Sequence, residues 1–354
     1  ALKSPTWCSW FKIRHFVSLQ STSAVAFALS FNEALLDDIK REMQKDDKSS
    51  SACSPAATQS EKSLDMMSRL RKAGYISKDV IGRGTYSIVK RAYSERHNKD
   101  VALKIVDKRS RSDFIIRFLP RELDIVPRLH HQNIVEVFEI IQSESIVCIA
   151  QEYAAGGDLL KKIKKQSRIN EDRARFYFRQ LIEALMYLKK IEVVHRDLKC
   201  ENLFLDLCDN IKLGDFGFSR MMRNGDESHT FCGSRAYVAP EVLRSRSYSG
   251  FTVDLWSAGV VLFVMVTGLM PYDDRYPRKM VEKQMQHRVT FPSRINLSDD
   301  IKELIFAILH PVPSKRIPYH EILQSTWLAC TPYRFYTSRN ADQQPPSPGR
   351  DISK

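Results

Sequence analysis

Between the apolar pairs Val193-Val194 and Leu203-Phe204 lies His195-Arg196-Asp197-Leu198-Lys199-Cys200-Glu201-Asn202. Apolar pair, polar octapeptide, apolar pair reads as a short strand, a loop and a second strand. So many polar side chains on one short loop cannot all be buried cheaply, so the loop must face something charged. Any fold for this chain has to hold that loop rigidly from both sides.

The flanking sequence predicts two kinds of structure in order. From about Tyr75, short β-branched or apolar runs bounded by turn residues predict an antiparallel sheet: Val80-Ile81, Ile88-Val89, Val101-Ala102-Leu103, Ile134 to Ile141 and Ile146 to Ala150. A helix over Arg111 to Leu129, interrupted by Pro120 and Pro127, falls among them. After Gly156-Gly157 the pattern turns helical. Asn170 is an N-cap followed by Glu171 and Asp172 in the first turn, and Ala174, Phe178, Leu181, Leu185 and Leu188 form one buried stripe. Leu255 to Val266 is apolar nearly all round, as in a helix buried in a core. Ile301 to Leu309 and Glu321 to Trp327 supply later helices. This segregation predicts an α+β chain with two lobes around a cleft.

The ends read differently. Residues 1–74 form an extension: no acidic residue precedes Asn32, and the apolar run Phe16 to Phe31 is leader-like, although a disordered segment fits equally. That run is too short and too polar to span a membrane. Leu35 to Met43 predicts one amphipathic helix, and Asp46 to Ser63 a disordered linker. Residues 329–354, with Pro345-Pro346-Ser347-Pro348, predict a disordered tail.

Charge and cysteine content bound the function. The 354 residues carry 55 Lys and Arg against 42 Asp and Glu, a net charge of +13. Such a balance suits anionic ligands, acidic partners or nucleic acid. The aromatic residues, however, are not interleaved with the basic clusters as base stacking requires, so no nucleic-acid partner is expected. The 7 cysteines are scattered without a Cys-x-x-Cys pair, so neither a zinc site nor a disulfide framework is indicated. Reduced thiols place the chain in the cytoplasm or the nucleus, with organelle targeting left open by the leader-like start.

More motifs stand in order around the central loop: Gly82-Arg83-Gly84-Thr85-Tyr86-Ser87, Val101-Ala102-Leu103-Lys104, Glu122, Asp215-Phe216-Gly217 and Ala239-Pro240-Glu241. Together with His195 through Asn202 they resemble the eukaryotic protein kinases over residues 75–328. Lys199 is similar to the serine/threonine branch. The stretches Phe118-Leu119-Pro120-Arg121-Glu122, Thr230-Phe231-Cys232-Gly233-Ser234 and Met265 through Asp274 look like the testis-specific serine/threonine kinases of the calmodulin-dependent-kinase-like group.

The resemblance implies an N-lobe over 75–153, a C-lobe over 154–328, and ATP and Mg²⁺ as cofactors. It implies catalytic roles for Asp197, Lys199, Lys104 and Glu122, and metal binding by Asn202 and Asp215, hard oxygen ligands suited to Mg²⁺. ATP contacts are implied for Ile81, Gly82, Gly84, Val89, Ala102, Lys104, Glu152, Ala154, Asp158, Glu201 and Leu203. Gln151 then stands at the gatekeeper position, or is an ordinary strand-end residue. Partners are protein substrates with Ser or Thr acceptors and basic residues upstream, facing Glu201 and Asp158. Thr230 is the implied regulatory site, phosphorylated by an upstream kinase or by the chain itself and gripped by Arg196 and Arg220. Glu241 is expected to pair with Arg316.

Three departures stand out: Ser87 replaces a family glycine, Arg235 a family proline, and Pro127 falls near Glu122, where a helix-interior proline would cost about 3 kcal/mol. Two other readings remain: a pseudokinase acting as an ATP-binding scaffold, and a nucleic-acid-binding protein.

Overall fold

The structure is a computed structural model and describes residues 66–84, 86–109, 112, 114–223, 225–230 and 232–337. The leader-like run, the helix expected over Leu35 to Met43 and the expected linker lie outside these residues. The chain divides into two compact units. The first holds the described residues up to Lys99 with Leu103–Ser110 and Ile141–Cys148; the second holds Asp100–Ala102, Arg111–Ile140 and Ile149 onward.

The first unit opens with a helix, α1 (residues 66–72), whose Met66 and Leu70 are buried. No helix is expected here from the sequence; two apolar residues four apart give one helical face something to bury. Strand β1 (Tyr75–Arg83) pairs antiparallel with β2 (Ser87–Ser94), from Tyr75 opposite Ser94 to Arg83 opposite Ile88. With β3 (Lys99–Asp107), β4 (Val137–Gln142) and β5 (Ile146–Glu152) they form a sheet of order β1-β2-β3-β5-β4. The expected start of β4 at Ile134 is instead an isolated bridge to Leu213.

In the second unit, a π-helical turn Phe114–Phe118 runs into α2 (Leu119–Ile125), followed by a 3-10 turn Val126–Arg128. Both prolines that threatened this region sit in first turns, Pro120 in α2 and Pro127 in the 3-10 turn. The expected helix is thus interrupted at both prolines, and because each sits where its missing N–H has no partner to lose, the short helix that carries Glu122 keeps its own hydrogen bonds. Ile125, Val126, Leu129 and Ile134 belong to the large core of the second unit, which is why the units do not follow the expected 75–153 lobe boundary.

The helices of that core are α3 (Leu159–Gln166), α4 (Glu171–Lys190), α5 (Pro240–Leu243), α6 (Gly250–Thr267), α7 (Pro277–Met285), α8 (Asp299–Ile308) and α9 (Tyr319–Gln324). Asn170 caps α4 as expected, its side chain accepting from Arg173 N at 2.9 Å. Helix α6 is long and apolar enough to cross a bilayer, yet 94% of it is buried inside the protein. It is the central core helix, packed against α4 and α8. Gly268 ends it at φ +69, and a Cβ there would lie 2.0 Å from Ser167 O, so only glycine fits. Four short strands, β6 (Val193–Val194), β7 (Leu203–Leu205), β8 (Ile211–Leu213) and β9 (Arg220–Met221), frame the polar octapeptide. β6 pairs with β9, and β7 with β8.

Glu241 and Arg316 pair as expected, through Nη1 to Oε1 at 2.9 Å and Nη2 to Oε2 at 3.1 Å. Arg316 also donates to Thr252 O at 2.7 Å and His310 O at 3.0 Å. Both residues are buried. Glu241→Ala leaves a buried guanidinium without its carboxylate and is expected to lower stability by about 3–5 kcal/mol. Chemical denaturation of the full chain reads this directly; a loss under about 1 kcal/mol would mean that the pair is screened by water.

The chain from Thr331 to Thr337, expected to belong to a disordered tail, is instead held against α4 and the β7–β8 hairpin, with Tyr336 buried. Its aromatic residues explain this, since the Tyr336 ring packs at a tilt against Phe176 with centroids 5.2 Å apart. Residues 338–354 lie outside the described residues.

Candidate active site

Arg196 and Asp215 both adopt positive φ, +65° and +60°. For residues with side chains this costs about 1–3 kcal/mol each, and something must hold them. For Arg196 it is Asp254, the buried aspartate in the first turns of α6. Asp254 Oδ2 accepts from His195 N at 2.7 Å and Oδ1 from Arg196 N at 2.8 Å. Burial pushes the Asp254 carboxyl above its usual range, against the pull of His195 and the two N–H donors. His195 anchors the other side. Its Nδ1 accepts from Asp197 N at 3.3 Å, which places the ring proton on Nε2, the atom 3.1 Å from Gly214 O. The ring also meets Phe216 edge-on at 4.9 Å.

This clamped turn presents Asp197. Its Oδ1 accepts from Ser234 N at 2.8 Å and Ser234 Oγ at 3.0 Å. Its Oδ2 accepts from Lys199 Nζ at 2.6 Å and Asn202 Nδ2 at 3.3 Å. Lys199 Nζ also donates to Ser234 Oγ at 3.1 Å. Burial alone would lower the Lys199 pKa, but Asp197, with smaller help from Asp215 and Glu201, raises it, so the ammonium persists at neutral pH. Gly233 lets the segment bearing Ser234 come this close: at φ +93 its Cβ would lie 2.6 Å from Arg196 O.

Asn202 spends Nδ2 on Asp197 O at 2.9 Å, which leaves Oδ1 as the atom able to meet a cation. Gly214 N donates to Asn202 O at 2.9 Å, so the β7–β8 hairpin sets Asn202 beside the exposed Asp215. Among the described residues, no group of three or more His, Cys, Asp or Glu side chains gathers to hold a metal. An amide oxygen and a carboxylate fit Mg²⁺ in the manner of sites completed by a ligand's phosphates.

The other expected residues are distributed as follows. In the first unit, Ile81 and Gly82 lie on β1, Gly84 follows it, Val89 is on β2, and Lys104 is buried on β3. Gly84 N donates to Ser87 O at 2.8 Å, so the turn closes with serine at the third glycine position. In the second unit, Ala102 and Leu203 are buried, and Glu122 is buried on α2. Glu152 ends β5 and gives its N–H to Glu136 O at 2.8 Å, so its carbonyl is the backbone group left to meet a base. Ala154 follows, its carbonyl accepting from Gly157 N at 3.4 Å. Asp158 has a structural duty: Oδ1 caps α3 through Lys161 N at 2.8 Å, and Oδ2 pairs with Lys161 Nζ at 2.9 Å. Glu201 is exposed to solvent and lies in the field of Lys199.

Arg196 is 4% exposed, its Nε donates to Phe218 O at 2.8 Å, and neither Nη meets an acceptor among the described residues. Burial and the fields of Arg196, Arg220 and Arg117 lower the Arg121 pKa. Arg121 and Arg220 line one small cavity with Asp124, Ile125 and Met221. Thr230 lies on the segment between Gly217 and Ala239, its carbonyl accepting from Tyr248 OH at 2.7 Å.

Three members were not found from the sequence: Asp254, Ser234 as a partner of Asp197, and Arg121. Asp254 had a signal, because an acid opening an otherwise apolar run must be paired if that run is buried. Ser234 and Arg121 had none that spacing could reveal.

Residues 75–328 match the protein kinase domain family. The chain is 48% identical to mouse testis-specific serine/threonine-protein kinase 2 over 272 residues, 75% of this chain and 76% of that protein. It is 44% identical to the human testis-specific serine/threonine-protein kinase 1 over 75% of this chain and 74% of that one. With human testis-specific serine/threonine-protein kinase 3 it shares 42% identity over 73% of this chain and 97% of that protein.

Proposed function

This chain belongs to the protein kinase family, on its serine/threonine branch, and from that premise we propose that it transfers the γ-phosphoryl group of ATP to Ser and Thr hydroxyls of proteins. The observation that carries the reading is the knot around Asp197, a buried carboxylate held by Ser234, Lys199 and Asn202 on a turn pinned by Asp254. ATP with Mg²⁺ supplies the phosphoryl group and the neutralising charge. Asn202 Oδ1 and Asp215 would hold the cation. Asp197 orients the acceptor hydroxyl and takes its proton. Lys199 and Lys104 balance phosphate charge, and Glu122 is the carboxylate assigned to Lys104. Positioning and electrostatics thus supply most of the acceleration. A pseudokinase scaffold is disfavoured, because Lys104, Asp197, Asn202 and Asp215 are all in place.

The acceptor groove should favour basic residues upstream of the Ser or Thr. Glu201 is the carboxylate left for them, since Lys161 occupies Asp158. An array of Ser, Thr and Tyr peptides tests this; a preference for tyrosine or for acidic upstream residues would overturn it. The relatives named testis-specific motivate a role in sperm development, and the scattered cysteines, read as reduced thiols, a place in the cytoplasm or nucleus.

Activity is further proposed to depend on phosphorylation of Thr230, by an upstream kinase or by the chain itself. The support is the buried Arg196 guanidinium with both Nη groups unmatched, and Arg220 and Arg121 crowded at a cost to Arg121. A phosphothreonine brings a charge of roughly −1.5 to −2 and one to three charge-assisted hydrogen bonds. Thr230→Ala is expected to cut kcat/KM by about tenfold or more, and Arg196→Ala to abolish the gain from phosphorylation. Equal turnover by phosphorylated and unphosphorylated protein, each verified by mass spectrometry, would refute the switch.

A further inference from the structure

The segment Thr331–Thr337 lies beyond the residues that match the kinase family, yet it is tied down along its length. Arg179 Nη1 donates to Thr331 O at 3.0 Å, and Gln180 Nε2 to Arg334 O at 2.8 Å. Tyr333 OH donates to Asn133 Oδ1 at 2.7 Å. Asn210 holds Tyr336 at both backbone groups, donating from Nδ2 to its carbonyl at 2.7 Å and accepting its N–H at 2.9 Å. This fixed backbone delivers the Phe335 ring to Lys212, whose Nζ lies 5.2 Å from the ring centroid.

Lys212, buried on β8, also reaches the end of β5, where its Nζ pairs with Glu152 Oε1 at 2.8 Å. Glu152 Oε2 accepts from Glu136 N at 3.4 Å, and Glu152 N donates to Glu136 O. Side chain and backbone of Glu152 are therefore both anchored, and the residue's carbonyl is the group assigned to the base. A lysine held between a carboxylate and an aromatic face has little freedom to leave either.

We propose that Lys212 is a positioning residue for Glu152, whose carbonyl is the group assigned to the nucleotide base, and that the strap Thr331–Thr337 keeps it on Glu152 through Phe335. The inference rests on the reading of Glu152 as a nucleotide contact. It assigns the strap a part in ATP affinity and none in the chemical step.

The test compares the full chain with Lys212→Met, Lys212→Arg and Phe335→Leu. It measures the Kd for ATP with Mg²⁺ by calorimetry, KM for ATP and kcat on a Ser/Thr peptide, and hydrogen exchange across residues 149–154 without nucleotide. Lys212→Met is expected to raise Kd and KM about fivefold, with kcat within about twofold, and to speed exchange at Glu152. Lys212→Arg should recover most of the affinity, and Phe335→Leu should fall between. An unchanged Kd in Lys212→Met, or an arginine variant as weak as the methionine one, would overturn the proposal. If Lys212→Met does not fold, Phe335→Leu decides alone by the same Kd. Wild-type protein that binds ATP but transfers no phosphate would sink the kinase reading, while the Kd comparison would still judge the strap.

Discussion

Asp197→Asn is expected to lower kcat about 10²- to 10⁴-fold while ATP still binds. The geometry explains why so small a change is so costly. Both carboxylate oxygens of Asp197 only accept: Oδ1 from Ser234, Oδ2 from Lys199 and Asn202. An asparagine offers one acceptor and one NH₂ group. Whichever way it turns, the NH₂ faces another donor, either Lys199 or the Ser234 N–H. The variant therefore loses the base and also unsettles the lysine beside it, at a cost of about 1–3 kcal/mol in stability. The melting temperature should thus fall modestly while turnover collapses. Steady-state kinetics with a parallel thermal melt separates the two effects; turnover within tenfold of wild type would remove Asp197 from the chemistry.

Lys104→Met is expected to reduce kcat/KM by about 10²- to 10³-fold with the fold intact. Lys104 is buried on β3 between Leu103 and Ile105, and its stem fills space that a methionine side chain fills as well. What the substitution removes is the cation. The loss should therefore appear in turnover and ATP affinity, and not in the midpoint of chemical denaturation. Near-normal turnover on a purified protein substrate would show that the charge serves only the strand.

What the sequence revealed and what it hid have a common cause. Asn170 could be read as a helix cap because its partner, Arg173, is three residues away. His195 through Asn202 could be read as a strand, loop and strand from its apolar flanks, while the roles of Asp197, Lys199 and Asn202, which the loop brings together within its own span, came from family resemblance. Glu241 with Arg316 was legible only through family resemblance, since 75 residues separate the pair. Asp254 escaped because its partners lie 58 and 59 residues earlier, and an isolated acid at a helix start is usually exposed. The strap escaped because Asn210 and Tyr336 are 126 positions apart and nothing in a Pro-rich tail announces a partner. The prolines near Glu122 could be read because their effect is local: the helix expected over Arg111 to Leu129 is divided at both, with each proline in the first turn of a new piece. Local hydrogen-bond chemistry is therefore visible in one dimension, and pairing across the fold is not.

The central claim is that the residues around Asp197 transfer phosphate to a hydroxyl. The most direct measurement is incubation of the purified full chain with ATP labelled in the γ-phosphate, Mg²⁺ and a Ser/Thr peptide with basic upstream residues. The position of the label is then read by mass spectrometry, with Asp197→Asn alongside. Label on Ser or Thr of the peptide, lost in the variant, is the predicted result. ATP binding by the wild-type protein with no labelled Ser or Thr, even after phosphorylation of Thr230, would contradict it.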